Sequence, residues 1–150
     1  MALPVLNFPN IETRFTKNAK GTLQIFDIIR KKFVDLTPEE WVRQHALHYL
    51  SKEKNVPHSL IAVEKQLILN GTKKRTDAVI FNQQLQPICI IECKAPEVEI
   101  NQITIDQALR YNLNLNVPFI VLTNGFTHYF IELNHPIPKI SDKIPDFFVL

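Results

Sequence analysis

Apolar positions along the chain recur at two spacings, and each spacing predicts a different kind of element. Short runs rich in Val, Ile, Leu and Phe, bounded by Gly, Pro or Asn, are typical of β-strands. The turn signal Asn18-Ala19-Lys20-Gly21 precedes the first such run and predicts a hairpin. Strands are predicted over residues 23–29, 60–69, 75–81, 88–93, 117–122 and 127–133. The Asn70-Gly71 turn and the 82–87 loop are short, so the second, third and fourth runs are expected to form an antiparallel meander.

Helical spacing marks two further segments, and the first has a clear start. Thr37 can cap a helix, Pro38 suits its first position, and Glu40 completes a Thr-x-x-Glu capping box. This helix is expected to run to about Lys54 and to end before Pro57. Its buried stripe is predicted to contain Val42, Ala46, Tyr49 and Leu50.

The second helix is predicted over about residues 100–112, with Ile103, Ala108, Leu109 and Tyr111 facing inward. The order helix, three strands, helix, two strands predicts a central mixed sheet flanked by helices, in the α/β (α+β) class. Because a helical crossover usually joins parallel strands, the run at 117–122 is expected to lie parallel to the run at 88–93.

Length and composition fit one globular domain, since the chain has 150 residues and 45% of them are hydrophobic. Residues 1–150 divide into an N-terminal extension of about 1–35, a core of about 36–133 and a tail of about 134–150 that is expected to wrap the surface. No run approaches the roughly 20 apolar residues of a membrane span, and no signal peptide is visible. The expectation is a cytoplasmic protein without membrane contact.

Net charge and cysteine content exclude few classes of function by themselves. A formal net charge of +2 does not indicate a nucleic-acid partner unless a site supports one. The two cysteines, Cys89 and Cys93, lie within one apolar run without a second Cys/His pair at zinc-site spacing. Both are expected to pack in the core and to form no disulfide.

Three ionisable residues stand where two core strands end, although isolated buried charges cost several kcal/mol. Side chains alternate along a strand, so Glu92 and Lys94 share one face while Cys93 points to the other. If the neighbouring strand brings Asp77 level with them, two carboxylates converge beside a lysine. Like charges at close range raise each other's pKa, and a divalent cation can offset them.

This combination predicts a site for Mg²⁺, with Mn²⁺ as the second choice. The ligands would be Asp77, Glu92, the backbone carbonyl of Cys93 and water, which together form the hard-oxygen environment that Mg²⁺ prefers. Such a metal can activate a water beside a phosphate, and Lys94 can stabilise the charge that develops. The chemistry indicated is phosphodiester hydrolysis.

Charged residues near this site allow two interpretations each. Lys73, Lys74 and Arg75, and likewise the triplet 30–32, can contact a DNA backbone or form solvated turns. Arg75 shares the face of Asp77 and can also pair with a site carboxylate. Strand alternation places Glu64 on a polar face, where exposure is expected, and a position at the edge of the site is the alternative. Arg43 and Arg110 fit a contact with DNA and a surface charge equally well.

The motifs resemble those of the PD-(D/E)XK nuclease superfamily, and most closely the N-terminal nuclease domain of type I restriction enzyme R subunits. The resemblance rests on Asp77, Glu92-x-Lys94 and Gln107-x-x-x-Tyr111. It extends to Thr37–Gln44, Val63-Glu64-Lys65 and Leu122–Gly125, and so covers about residues 36–133. It implies a restriction-endonuclease-like core.

The resemblance also implies roles for individual residues. Asp77 and Glu92 would be metal ligands, and Lys94 the catalytic lysine. Gln107 would help to position the lysine, the water or the phosphate, and Tyr111 would lie on the same helix face, within reach of DNA. Many relatives use an acid from the first helix as a further ligand, and here the choice between Glu39 and Glu40 stays open.

The function predicted is that of a metal-dependent DNA endonuclease of a restriction or other defence system. No P-loop is present, so the chain is expected to lack its own ATPase motor. DNA is the expected partner, together with a separate motor or specificity subunit or a second copy of the chain. The alternatives are a catalytically inert DNA-binding or assembly module of the same fold, and a nuclease that acts on RNA or repair intermediates.

Overall fold

A six-stranded mixed sheet forms the centre of the structure, a computed structural model that describes residues 3–69, 71–113 and 115–147. The strands of the central sheet are β4 (Ile61–Val63), β7 (Ala78–Phe81), β8 (Pro87–Cys93), β9 (Phe119–Thr123), β10 (His128–Glu132) and β11 (Lys139–Ser141). The remaining strands are β1 (Phe15–Lys17), β2 (Leu23–Asp27), β3 (Lys32–Asp35), β5 (Gln66–Leu69) and β6 (Thr72–Arg75). The helices are α1 (Pro38–Lys52) and α2 (Gln102–Tyr111). This is the predicted α+β class.

The strand order of the central sheet is β11-β10-β9-β8-β7-β4. β8 and β9 are parallel, with Cys89 opposite Phe119 and Cys93 opposite Thr123, whereas the other neighbours in this sheet are antiparallel. The chain between β8 and β9 contains α2, so the predicted helical crossover and its parallel pair are confirmed.

Strand alternation gives the central sheet two different faces. Val42, Ala46 and Leu47 of α1 pack against one face, which includes Ile91 and Cys93. Ile105 and Ala108 of α2 pack against the opposite face, with Ile120, Leu122 and Ile131. Cys89 and Cys93 are both buried and free, as expected. Because Cys93 faces α1, its neighbours in sequence face α2.

Two strands predicted as single runs are interrupted, the run 60–69 in its middle and the run 75–81 near its start. Glu64 has a positive φ of 52°, which interrupts the alternation between β4 and β5. Thr76 and Asp77 separate β7 from β6, a strand that begins before the predicted run. β5 and β6 pair with each other as a hairpin apart from the central sheet. Asn70, half of the predicted turn between them, lies outside the described residues.

α1 begins as predicted, but its capping box is only half formed. The Thr37 hydroxyl accepts the Glu40 backbone N–H at 3.0 Å. The Glu40 side chain does not return the bond; it turns inward and is 4% exposed. The helix ends at Lys52, slightly before the predicted end. Of the predicted stripe, Val42, Ala46 and Leu50 are buried, and Tyr49 is half-buried.

The inward face of α2 differs from the prediction. Ile103 is 66% exposed and Tyr111 is 43% exposed, whereas Ile105 is buried with Ala108. The helix begins later than predicted, at a complete capping box between Asn101 and Thr104. The packing of Ile105 and Ala108 against the sheet leaves the part of the helix with Ile103 and Tyr111 more exposed.

The N-terminal residues form the predicted hairpin β1–β2 and a third strand, β3, that the pattern did not reveal. Further upstream, the chain crosses α1 and the β9–β10 turn: Trp41 Nε1 donates to the Pro4 carbonyl at 2.9 Å. Gly125 has a φ of +91°, and a Cβ there would lie 2.7 Å from Leu6 Cδ2. A glycine is therefore required where this segment docks. The tail adds β11 to the sheet edge, which corrects the expectation that it only wraps the surface.

Within the described part of the chain, neither helix has the length and apolar character that crossing a membrane requires.

We predict that stability falls in mild acid because of His48. This residue is 3% exposed and neither ring nitrogen has a hydrogen-bond partner. Burial lowers its pKa from 6.5 to about 4, and nearby Lys52, His45 and His58 also oppose protonation, while Asp27 favours it. At a pH between these two pKa values, His48 is protonated in the unfolded chain but not in the folded chain, so acid favours unfolding. Since one pKa unit is worth about 1.4 kcal/mol, the loss is on the order of 3 kcal/mol.

Urea denaturation of the wild type and of His48→Leu at pH 7 and pH 4.5 measures this contribution. The variant should lose less stability on acidification, and the exposed His135→Leu control should keep the wild-type dependence. Parallel pH curves for all three proteins would contradict the assignment.

Candidate functional site

A cavity of about 430 Å³ opens on the α2 side of the central sheet. It lies where β7 and β8 meet α2 and the β5–β6 hairpin. Its walls carry five of the charged residues that the sequence singled out. The lining residues are Glu64, Arg75, Thr76, Asp77, Ile90, Glu92, Lys94, Thr104, Gln107, Ala108 and Tyr111.

The pairing of β7 with β8 brings Asp77, Glu92 and Lys94 to this cavity. Ala78 lies opposite Ile91, so Asp77 stands beside the end of β8. Its Oδ2 accepts the backbone N–H of Cys93 at 2.8 Å, which holds the carboxylate there. Glu92 and Lys94 flank Cys93, whose side chain points into the core on the opposite face. The predicted convergence of these three residues in one cavity is thus found.

Burial raises the pKa of both acids. For Asp77, the Cys93 N–H and the charges of Arg43 and Lys94 act in the opposite direction without prevailing. For Glu92, a hydrogen bond from Asn112 and the charge of Lys94 oppose the rise, while Asp77 adds to it. Two carboxyl groups in this state are stabilised as anions by a cation between them.

The residues present fit a hard divalent cation such as Mg²⁺ or Mn²⁺. Asp77 and Glu92 supply carboxylate oxygens, and the backbone of Cys93 is adjacent. Over the described ranges, no group of three or more His, Cys, Asp or Glu side chains is placed to hold a metal. The protein would contribute two carboxylates, with carbonyl and water oxygens as the other ligands, which is a usual arrangement for Mg²⁺.

Asn112 supports Glu92 and was not recognised from the sequence. Its Nδ2 donates to Glu92 Oε1 at 2.6 Å and to the carbonyl of Ala108 at 2.8 Å. The side chain is 2% exposed, and Oδ1 has no hydrogen-bond partner. Asn112 caps the C-terminus of α2, and a helix-end asparagine was its only signal in the sequence.

Arg43 is buried beside the site and contacts Asp77, so the surface-charge interpretation, one of the two left open, is wrong. Arg43 is 9% exposed, and its Nη2 lies 2.8 Å from Glu40 Oε1. Its Nη1 donates to the carbonyl of Asp77 at 3.3 Å and lies 4.0 Å from Asp77 Oδ1. Of the two acids left open as a further metal ligand, Glu40 is buried beside Arg43 and Glu39 is exposed. Neither of them lines the cavity.

Glu64 lines the cavity, which agrees with the alternative of a site-edge position rather than with the solvent-facing position that alternation favoured. Its carboxylate contacts Arg75 at 2.9 Å and Arg43 at 3.3 Å, and Arg30 approaches at 3.6 Å. Burial is the largest single influence and raises the pKa of Glu64, but the three guanidinium groups together outweigh it and hold the pKa below its usual value. Alternation failed here because the positive φ of Glu64 rotates the side chain out of register.

The catalytic candidate on α2 and the predicted DNA contacts do not all line the cavity. Gln107 and Tyr111 both line the cavity from α2. The Tyr111 hydroxyl donates to the carbonyl of Arg75 at 3.2 Å, and Lys74 Nζ lies 4.0 Å above the Tyr111 ring. Lys73 is exposed on the β5–β6 hairpin and is not part of the cavity wall.

Comparison with known proteins identifies similar chains. The family described as "Type I restriction enzyme R protein N terminus (HSDR_N)" matches residues 38–146. A solved fragment assigned to the HsdR subunit of a type I restriction enzyme from Vibrio vulnificus YJ016 has a TM-score of 0.54 and 19% identity, over 76% of this chain and 25% of that one. At that identity the likeness shows a shared fold, and this chain spans about a quarter of the length of the fragment.

A second solved structure, described as a nuclease belonging to DUF820 from Anabaena variabilis ATCC 29413, has a TM-score of 0.48 and 10% identity over 75% of this chain and 74% of that one. No curated protein sequence matches the chain.

We expect Asn112→Ala to raise the pKa of Glu92 further, because the lost amide N–H stabilises the charged carboxylate. An NMR titration of the Glu92 side-chain carbon measures this shift, and the exposed Asn134→Ala serves as the control. An unchanged or lowered pKa in Asn112→Ala would mean that the 2.6 Å contact does not form.

Arg43→Met should destabilise the fold by about 3 kcal/mol, because it leaves the buried Glu40 carboxylate without its principal partner. The control is Arg110→Met, an exposed arginine on α2 whose loss should cost no more than about 0.5 kcal/mol. Urea denaturation compares the two. Equal costs would show that Arg43 behaves as an ordinary surface charge.

Proposed function

The chain belongs to the family of the type I restriction enzyme R protein N terminus, and we propose that it hydrolyses phosphodiester bonds of DNA with a divalent metal ion. The observation that carries the proposal is the meeting of Asp77, Glu92 and Lys94 in one cavity. Both acids have a raised pKa, which is the electrostatic condition in which a shared cation is favourable.

In this proposal Asp77, Glu92 and the carbonyl of Cys93 hold Mg²⁺ or Mn²⁺. When bound, such an ion acidifies water and neutralises charge on a phosphate. The Lys94 ammonium group, on the same strand face as Glu92, stabilises the negative charge that develops at the phosphorus. Gln107, across the cavity on α2, orients the water or the phosphate by hydrogen bonds. Asn112 keeps the Glu92 carboxylate oriented.

The rim of the cavity suits a DNA backbone. Arg75 is exposed beside Tyr111, and Lys74 lies over the Tyr111 ring. These groups supply the cationic and hydrogen-bonding contacts that position a phosphate chain. We further propose a separate motor or specificity subunit as partner and action on DNA in the cytoplasm. RNA remains a chemically equivalent substrate for the same site.

A second candidate function is that of an inert DNA-binding or assembly module. One observation favours it. Among the described residues, no third acid joins Asp77 and Glu92 as a metal ligand, because the nearby acids Glu40 and Glu64 are paired with arginine. Such a module would bind DNA but would not cleave it, so cleavage and metal binding must be measured separately.

We predict that Asp77→Asn and Lys94→Ala abolish plasmid cleavage in Mg²⁺ or Mn²⁺. Asp77→Asn should also weaken Mn²⁺ binding in calorimetry, because it removes a charged ligand, whereas Lys94→Ala should leave that binding largely intact. The matched controls are Asp142→Asn and Lys143→Ala, both exposed on the tail.

Thermal unfolding must show that the variants are folded, since the Asp77 carboxylate also accepts the Cys93 N–H. Normal cleavage by Lys94→Ala would refute its catalytic role. Metal binding that depends on Asp77, without cleavage by the wild type, would favour the inert module.

A further inference from the structure

Three arginines from three different parts of the chain meet at the Glu64 carboxylate. Arg30 comes from the β2–β3 turn, Arg43 from α1 and Arg75 from the end of β6, and their nitrogens lie between 2.9 and 3.6 Å from Glu64 oxygens. Arginine is frequently used to bind phosphate in proteins, because each planar guanidinium group can donate several hydrogen bonds to one anion. Here the bound anion is a side chain of the protein itself.

The charges of this cluster balance only when an anion occupies the position of the Glu64 carboxylate. Arg30 pairs with Asp27 at 2.7 Å, and Arg43 pairs with Glu40 at 2.8 Å. Those two acids are buried, with side-chain exposures of 0% and 5%, whereas the Glu64 side chain is 38% exposed. Glu64 is therefore the acid of the cluster that can leave without exposing a buried charge.

The backbone at Glu64 also distinguishes it from an ordinary surface ion pair. A φ of +52° is unfavourable for a residue with a long side chain, and such positions often belong to functional sites. This conformation turns the carboxylate into the same cavity that holds Asp77 and Glu92. A group that replaced Glu64 would thus lie beside the candidate metal ligands.

We infer that Arg30, Arg43 and Arg75 form a binding subsite for a DNA backbone phosphate, and that Glu64 occupies this subsite until DNA replaces it. A phosphodiester carries one negative charge, as the carboxylate does, so the exchange conserves the charge of the cluster. The inference rests on the proposed function, because it takes DNA as the ligand of this cavity. It assigns Glu64 the role of an internal competitor, which neither binds the metal nor takes part in the chemistry.

The test is the affinity for a short fluorescent DNA duplex, measured by anisotropy in EDTA so that no cleavage occurs. Glu64→Gln should bind about fivefold to tenfold more tightly than the wild type, with a salt dependence steeper by about one charge. The control is Glu99→Gln, which removes an exposed acid just before α2 and should change the affinity less than about twofold.

Glu64→Asp distinguishes an effect of occupying the subsite from an effect of net charge. It also keeps the test interpretable if Glu64→Gln does not fold. It keeps the negative charge and suits a positive φ better than Glu, but its shorter side chain cannot reach all three arginines. We expect an affinity between those of the wild type and Glu64→Gln. If only net charge mattered, Glu64→Asp would bind DNA as the wild type does.

The inference is overturned if Glu64→Gln and Glu99→Gln have equal effects, or if Glu64→Gln binds more weakly while its thermal unfolding is unchanged. Should Glu64→Gln unfold, the comparison of Glu64→Asp with the wild type decides the question. Failure of every protein, including the wild type, to bind duplex DNA would refute the proposed function and this inference together. DNA binding with equal Glu64 and Glu99 effects would refute the inference alone.

Discussion

The structure depends on how two buried carboxyl groups are tolerated at one end of a core sheet. Asp77 and Glu92 stand on the α2 face of β7 and β8, where burial raises the pKa of both carboxyl groups and so disfavours their charged forms. Each is therefore held by a donor from the fold: the Cys93 N–H for Asp77 and the Asn112 amide for Glu92. Lys94 supplies a nearby positive charge. A divalent cation would offset the remaining cost of burying the two charged carboxylates.

The support for Asp77 extends well beyond the cavity. Arg43 reaches its carbonyl, Glu40 holds Arg43, and Arg30 contacts Glu40 from the β2–β3 turn at 3.3 Å. Arg30 lies outside residues 38–146, the part that matches the family. The N-terminal sheet therefore adds a charged contact to the site that the matched region does not contain. Breaking a buried pair is costly, so this sheet and the site stabilise each other.

Sequence reasoning succeeded where a local rule decides the outcome. Alternation along β8 placed Glu92 and Lys94 on one face, and the length of the crossover made β9 parallel to β8. The Thr37 cap located the start of α1. These features depend on neighbours in sequence, and the pattern of residues contains that information.

Sequence reasoning failed where contacts between distant segments override a local rule. Glu64 departs from alternation because of its positive φ, and three arginines from separate segments fix its side chain. Arg43 and Asn112 are polar residues whose burial depends on partners 34 and 20 positions away. No periodicity reports such pairings, because each is satisfied only after the sheet and both helices have assembled.

The acids of the cavity divide into two electrostatic classes, and this division explains how one small site can address a phosphodiester. Asp77 and Glu92 have a raised pKa and favour a cation between them, whereas Glu64 has a lowered pKa because guanidinium groups surround it. Asp77 and Glu92 create a position that favours positive charge, and the arginines around Glu64 create a position that favours negative charge. A phosphodiester chain in contact with a metal ion needs both positions side by side. The break at Glu64 provides the second position, since a continuous strand from Ile61 to Leu69 would have turned its carboxylate away from the arginines.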